Sequence, residues 1–216
     1  QNFMMAVTHE LKTPIAITQL NLETLQKHKL DNETKQKLLT NTLQEANRLN
    51  NLCNNILFSA KLDEGKYHYH FQEVALSNLL QKTVHNFSVR FPQKPFTSSI
   101  CEDVCINGEE LLLQMLLNNL IENAIKYSLK NTTVTISLQQ KNNKILLSVA
   151  DEGIGIKHDE KKKVFEKFYR SGNENTRNTK GTGLGLYLCH KIVKMHKGSI
   201  SLTDNKPCGS IFTVIF

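Results

Sequence analysis

No apolar run in this sequence approaches the roughly 18 residues that a membrane span requires, and no apolar segment follows basic residues at its start as in a secretory signal. Cysteine is sparse and unpatterned: Cys53, Cys101, Cys105, Cys189 and Cys208 are odd in number and contain no C-x-x-C spacing. That argues against a disulfide framework and a zinc site, and fits a reducing cytoplasm. Aromatic residues are few, at 7%. What is present is an ordinary soluble balance, 39% apolar against 22% charged over 216 residues. This suits one large domain or two small ones and excludes collagen and wholesale disorder. The chain opens at Gln1, not Met, and reads as helical from its first turn, so it is expected to be part of something longer.

The 27 basic and 20 acidic residues give a net charge of +7. Residues 1–65 carry 7 of each sign, 66–150 carry 8 basic and 6 acidic, and 151–216 carry 12 basic and 7 acidic, so the excess gathers in the last third among glycines. Because the bases are interleaved with acids and few aromatics accompany them, no nucleic-acid partner is expected. A phosphorylated small ligand suits the pattern better.

Two seams of coiled-coil type run through the first 65 residues. Met4, Thr8, Leu11, Ile15, Thr18, Leu22 and Leu25 step by 4-3-4-3-4-3, as do Leu39, Leu43, Ala46, Asn50, Cys53, Leu57 and Ala60. They imply an antiparallel helical hairpin turning near Lys29–Glu33, with Asp31 or Asn32 available as cap. Leu49, Leu52 and Ile56 widen the second stripe beyond what one helix hides, so two hairpins are expected to form a dimeric four-helix bundle.

After a linker at Asp63-Glu64-Gly65 the pattern becomes mixed. Strands are predicted at Tyr67–Val74, Phe96–Ile100, Val104–Asn107, Thr132–Gln139, Ile145–Asp151, Ser199–Thr203 and Ser210–Phe216, and helices at Ser77–Arg90, Glu109–Ser128 and Leu184–Lys197, with Ser77 as a cap. Between Glu152 and Thr182 there is little periodicity and much glycine and charge, the mark of a functional loop. The fold class expected is therefore α+β: a hairpin domain over 1–65 and an α/β sandwich over 66–216.

Several clusters carry chemistry. His9 falls beside the first seam and should face solvent, with Glu10 next to it and Thr13 one turn on. An imidazole beside a carboxylate is a usable nucleophile, and Pro14 should bend the helix just past it. Asn119, Asn123, Lys126 and Tyr127 group on one face of a helix whose other face is aliphatic. Amide oxygens are hard ligands suited to magnesium, and a lysine one turn on can meet phosphate. Asp151, Gly153 and Gly155 end a strand where a ligand can approach the backbone. Gly181, Thr182, Gly183, Leu184 and Gly185 open a helix whose free amides suit a phosphate chain. Each glycine motif alone is weak, and the second comes too near the C-terminus for a Rossmann fingerprint. Within the long loop, the aromatics of Phe165–Arg170 could anchor it to the core while Arg170, Arg177 or Lys180 reaches phosphate.

Taken in order, His-Glu-Leu-Lys-Thr-Pro (9–14), Asn-Leu-Ile-Glu-Asn-Ala-Ile-Lys-Tyr-Ser (119–128), Asp-Glu-Gly-Ile-Gly (151–155) and Gly-Thr-Gly-Leu-Gly-Leu (181–186) resemble the boxes of the histidine protein kinases of two-component signalling. The resemblance spans essentially the whole chain. It implies that His9 is the phosphoacceptor, that Glu10 polarises its other ring nitrogen, and that Thr13 assists dephosphorylation of a response regulator. It further implies ATP and Mg2+, with Asn123 holding the metal, Asn119 nearby, Lys126 and Tyr127 at the nucleotide, and Asp151 at the adenine amino group. Gly153, Gly155 and residues 181–185 would shape the pocket and lid, with Arg170 among the nucleotide contacts. The partners implied are a second copy and the receiver domain of a response regulator. The chain would be the cytoplasmic domain of a bacterial inner-membrane protein, anchored only through segments upstream. Where this family favours Asp as cap of the asparagine helix, Glu109 stands, a poorer cap. The alternatives are an ATP-gated conformational ATPase, against which the His9–Pro14 box argues, and a dimeric scaffold without activity.

Overall fold

The computed structural model describes residues 2–64, 67, 69–171 and 181–216, which divide into two compact units. The first holds the chain up to Tyr67 together with residues 181–184; the second holds the remainder. Gly65 of the expected linker, His68, Arg177 and Lys180 lie outside the described residues.

The first unit is a hairpin of α1 (Asn2–Lys27) and α2 (Asn32–Asp63). Asp31 caps α2, its carboxylate accepting from the Thr34 amide at 2.8 Å and from the Thr34 hydroxyl at 2.7 Å. These bonds hold the Asp31 carboxyl below its ordinary range. Pro14 does not end α1, which continues through it.

The two helices face each other through a register one residue earlier than the expected seams. On α1 the covered positions are Val7, Glu10, Pro14, Ile17, Asn21 and Thr24, and on α2 they are Leu38, Thr42, Glu45, Leu49, Leu52, Ile56 and Ser59, again at alternating three- and four-residue steps. Ile15, Leu22, Leu39, Leu43 and Leu57 of the expected seams are exposed, Leu43 at 63%. The side chain of Met4 lies outside the described set. The inner register is rich in Glu, Asn, Thr and Ser, so a search for apolar steps passes over it. Leu49, Leu52 and Ile56 are thus part of the contact with α1, and the more apolar seams form the outer face.

The second unit contains a two-stranded ribbon of β1 (Gln72–Ala75) and β3 (Cys105–Gly108), and a five-stranded sheet in the order β2-β4-β5-β7-β6. Its strands are β2 (Phe96–Ile100), β4 (Val134–Lys141), β5 (Lys144–Asp151), β6 (Ser199–Asp204) and β7 (Ser210–Ile215). β2 and β4 run parallel and the other neighbours antiparallel. The helices α3 (Leu76–Arg90), α4 (Glu110–Tyr127) and α5 (Gly185–Met195) supply the rest of the core. Val134, Ile136 and Leu138 of β4, Ile145, Leu147 and Val149 of β5, and Phe212 and Val214 of β7 are buried at alternate positions, against Leu113, Leu116, Leu117, Leu120 and Ile121 of α4 and Leu188 and Ile192 of α5. Burying each such side chain contributes about 1.5–3 kcal/mol.

Two expectations need correction. The strand foreseen at Tyr67–Val74 is confined to Gln72–Ala75. Ser77 does not cap α3, whose N-cap is Ala75 with no side-chain bond. The Ser77 hydroxyl instead donates to the Cys101 carbonyl at 2.7 Å and accepts from the Val104 amide at 3.0 Å, pinning the β2–β3 turn. Within the long loop, two short 3-10 turns stand at His158–Glu160 and Lys163–Phe165.

Candidate functional site

Period-two alternation along β5 carries the site. Ile145, Leu147 and Val149 point into the core, so the next inward position, Asp151, must too, and it is 3% exposed. Gly153 donates its amide to Asp151 Oδ1 at 2.9 Å, and the Ser210 amide adds a second backbone bond. Burial nevertheless dominates and pushes the carboxyl up to about 6, while Gly153, Ser210 and the Lys94 charge pull the other way. The Lys94 ammonium donates to the Leu129 carbonyl at 2.9 Å and to the Thr132 hydroxyl at 3.2 Å, and burial lowers its own pKa.

Tight backbone approaches bring the boxes of this unit together. A Cβ on Gly153 would strike the Tyr127 carbonyl at the end of α4, and Ser128 and Gly153 form a β-bridge. A Cβ on Gly185 would stand 2.9 Å from Asn119 Oδ1, so the first residue of α5 lies against the asparagine face. Asn119 is buried and donates to the Met115 carbonyl at 2.9 Å. Asn123 is half-buried, and among the described residues its carboxamide has no hydrogen-bond partner. A hard oxygen donor left open on the face that holds Asn119 fits a magnesium ion. The Lys126 ammonium rests 4.8 Å over the Tyr127 ring, and Tyr127 is exposed. Gly155 has a φ of 70°, a left-handed turn that suits glycine.

Phe165 packs edge-on to Phe212 at 6.4 Å and tilted to His190 at 6.0 Å, which anchors the loop as expected. Tyr169 and Ser171 both donate to the Glu160 carboxylate, at 2.9 and 2.7 Å, which fixes the chain around Arg170. Gly183 has a φ of 72°, while Thr182 and Leu184 are buried.

In the hairpin, His9 is exposed, and the Thr13 hydroxyl donates to its main-chain carbonyl at 3.1 Å. Glu10 is 6% exposed and both its oxygens are engaged: Oε2 accepts from Arg48 at 3.0 Å and Oε1 from the Gly181 amide at 2.6 Å. Arg48 also lies 3.7 Å from Glu45. The structure therefore directs Glu10 to Arg48 and Gly181.

Arg48 and Lys94 escaped the sequence reading, since neither lies in a motif. Asn205 and Gly209 escaped it too: Asn205 donates to the Asp151 main-chain carbonyl at 2.9 Å, and Gly209 packs directly on that carbonyl. The neighbouring Pro207-Cys208-Gly209 turn was the one available signal.

A buried carboxylate at a strand end, glycines against it and an open carboxamide on the adjoining helix thus lie within one α/β sandwich. Comparison with known proteins matches residues 108–216 to the family described as histidine kinase-, DNA gyrase B-, and HSP90-like ATPase, and residues 1–65 to the His kinase A (phospho-acceptor) domain. The chain belongs to this ATPase family and, within it, to the catalytic cores of two-component sensor histidine kinases. It is 30% identical over its whole length to the heme sensor protein HssS of Staphylococcus saprophyticus, covering 46% of that protein. It is 32% identical to the sensor protein CiaH of Streptococcus pneumoniae, with 99% of this chain and 48% of the relative covered. The chain thus spans about half the length of these curated relatives. Among solved structures, the histidine kinase AdeS of Acinetobacter baumannii superposes with a TM-score of 0.65 at 24% identity, covering 96% of each chain. The catalytic domain of the histidine kinase ThkA gives 0.61 at 26% identity, over 68% of this chain and 95% of that one.

Proposed function

We propose that the chain autophosphorylates on His9 with Mg-ATP and passes the phosphoryl group to an aspartate of a response regulator, acting also as that regulator's phosphatase. One observation carries the reading: an exposed His9, on a hairpin of the phosphoacceptor family, precedes an ATPase-type sandwich in which the Ser128–Gly153 bridge ties the asparagine helix to the Asp151 loop. Residues 1–65 would form the phosphoacceptor domain and 66–216 the catalytic domain.

In this reading the Asp151 carboxylate accepts from the adenine amino group, Lys126, Tyr127 and Arg170 contact the nucleotide, and residues 181–185 close over the phosphates. Asn123, with Asn119 beside it, would hold magnesium, which neutralises phosphate charge. The free nitrogen of a neutral His9 imidazole attacks the γ-phosphorus, the bond to the bridging oxygen breaks, and ADP leaves. The proton on the other ring nitrogen passes to Glu10 or to water. Glu10 would take it on a lone pair that neither Arg48 nor the Gly181 amide occupies. Thr13 would orient the water that hydrolyses the regulator's acyl phosphate.

Two further expectations support each other. The outer apolar face of the hairpin, with Leu39, Leu43 and Leu57 exposed, fits a second copy in a four-helix bundle. A solved ThkA, 24% identical over this whole chain, is described in complex with the response regulator TrrA, which suits a receiver-domain partner here. No helix among the described residues is long and apolar enough to cross a membrane, so an anchor would belong to other parts of a longer protein.

Incubation with γ-labelled ATP and magnesium tests the reading. We expect acid-labile, alkali-stable label on His9 that disappears in His9→Gln. Acid-stable label, or label surviving that substitution, would overturn it in favour of an ATP-gated ATPase.

A further inference from the structure

We propose that His196, just past the end of α5, is a positioning residue for the nucleotide site: its imidazole supplies the acceptor for the N-cap amide that a capping box would otherwise give α4, the helix that carries Asn119 and Asn123. The proposal rests on the nucleotide-binding reading above.

The sequence leaves the start of α4 uncapped. Its N-cap residue, Glu109, makes no side-chain cap bond. In a capping box the third helical residue reaches back to the N-cap amide, but that position is Leu112, which is fully buried. The Glu109 amide finds its acceptor elsewhere, 3.2 Å away at His196 Nε2. The other ring nitrogen, Nδ1, stands 2.8 Å from the Ile192 carbonyl. A carbonyl can only accept, so the hydrogen-bond network assigns the proton to Nδ1 and leaves the Nε2 lone pair to the amide.

The ring has little freedom to do anything else. It stacks on Phe71 at 4.9 Å and meets Phe216 edge-on at 6.0 Å. A Cβ on Gly108 would lie 2.7 Å from two ring atoms, so the residue before the cap is glycine for lack of room. At its other end α4 is tied to the Asp151 loop by the Ser128–Gly153 bridge and by the Leu129 amide donating to the Glu152 carbonyl at 3.2 Å. With both ends held, the rotation of α4 about its axis is set, and with it the aim of Asn119 and Asn123 relative to Asp151.

Capping requires the neutral ring, since protonated Nε2 would be a donor facing a donor. Burial lowers the His196 pKa; the Ile192 carbonyl and the Glu109 carboxylate favour the cation but are outweighed. From the other elements packed on it, Phe71 and Phe216 present only rings.

The test uses the full chain and two substitutions. His196→Phe keeps a ring in the aromatic stack and removes the acceptor, whereas His196→Gln returns an acceptor near the position of Nε2. The readouts are the exchange protection of the Glu109 amide without nucleotide and the affinity for Mg-ATP. We expect the Phe variant to lose about tenfold in protection and about fivefold in affinity, and the Gln variant to recover both to within about twofold. Lowering the pH should erode Glu109 protection in the wild type as His196 titrates, and leave the Phe variant flat. Unchanged protection in the Phe variant, unchanged affinity despite lost protection, or a Gln variant as impaired as Phe would each overturn the proposal. If the variants do not fold, the nitrogen spectrum of wild-type His196 decides: a proton on Nε2 refutes the cap, and a proton on Nδ1 with protection lost on titration sustains it. A wild type that binds no nucleotide, with the Glu109 results intact, would instead sink the nucleotide reading.

Discussion

The hairpin buries polar and apolar residues side by side, whereas the sandwich buries a mainly aliphatic core. The inner face of the hairpin holds Glu10, Asn21 and Ser59 below 9% exposure, and among the described residues Asn21 Nδ2 and Ser59 Oγ are buried without a hydrogen-bond partner. Its leucines at 39, 43 and 57 face outward. The sandwich does the reverse: its core is a continuous set of Leu, Ile and Val, with charge admitted at Asp151. Unpaired buried polar atoms each cost about 1–3 kcal/mol; the hairpin has little apolar core to offset its own, so association can strengthen it, while the sandwich, which also buries Arg90 Nε unpaired among the described residues, offsets the cost with a large aliphatic core. If His9 is the phosphoacceptor, as proposed, its helix gains from that looseness, because the histidine must be approached by different partners. A nucleotide site gains from rigidity.

Cutting into each apolar surface should separate the two units most sharply. Leu120→Ala in the sandwich, fully buried on α4, should cost about 2–5 kcal/mol of unfolding free energy in denaturant titration. Leu43→Asp on the outer hairpin face should leave the sandwich transition unchanged and halve the mass seen by light scattering. If Leu43→Asp remains dimeric, the outer face is not the bundle interface.

Next in size is a change in chemistry without a change in fold. Asn123→Ala should lower autophosphorylation about 100-fold, the scale of a lost metal contact, and move the thermal midpoint by less than about 2 °C because among the described residues the side chain makes no hydrogen bond. A large loss of stability with unaltered activity would remove Asn123 from the site.

In the hairpin, Arg48→Ala leaves a buried Glu10 with the Gly181 amide as its remaining described partner. We expect the hairpin to lose about 1–3 kcal/mol of stability, read by circular dichroism of the full chain. Arg48→Lys should recover part of it. A neutral effect would show that the pair is as dispensable as an exposed one.

The smallest effect is one of pH. In the proposed reading the adenine amino group is met by the Asp151 carboxylate, whose pKa burial raises to about 6. Mg-ATP affinity should therefore fall about tenfold per unit as the pH drops below 6, by one proton per site. The sign for folding is opposite. A raised carboxyl pKa contributes stability at pH values below the ordinary 3.8, and that contribution is lost as the pH rises through 6. Asp151→Asn should thus raise the thermal midpoint near neutral pH by about 2–4 °C while abolishing nucleotide binding. Calorimetry and titration calorimetry check the two halves.

Local pattern was enough for much of this molecule. Six of the strands and the three sandwich helices lie within a few residues of where alternation and 3.6-residue spacing put them, and His9 is exposed as expected, although the apolar seam beside it is exposed too. Asp151 was legible as a strand end, since the period that buries Ile145, Leu147 and Val149 carries on to it. These features depend on residues close together in sequence, so the sequence by itself determines them. Tertiary structure alone decided which of two adjacent heptad registers packs within the hairpin, that Glu10 turns to Arg48, that Ser77 serves a turn in place of a helix end, and that Glu109 is capped from α5 by His196. Each is a choice among partners distant along the chain, 38 residues apart for Glu10 and Arg48 and 87 for Glu109 and His196. Polar groups bond whatever donor or acceptor the fold brings within about 3 Å, and no periodicity in one segment encodes which group that is.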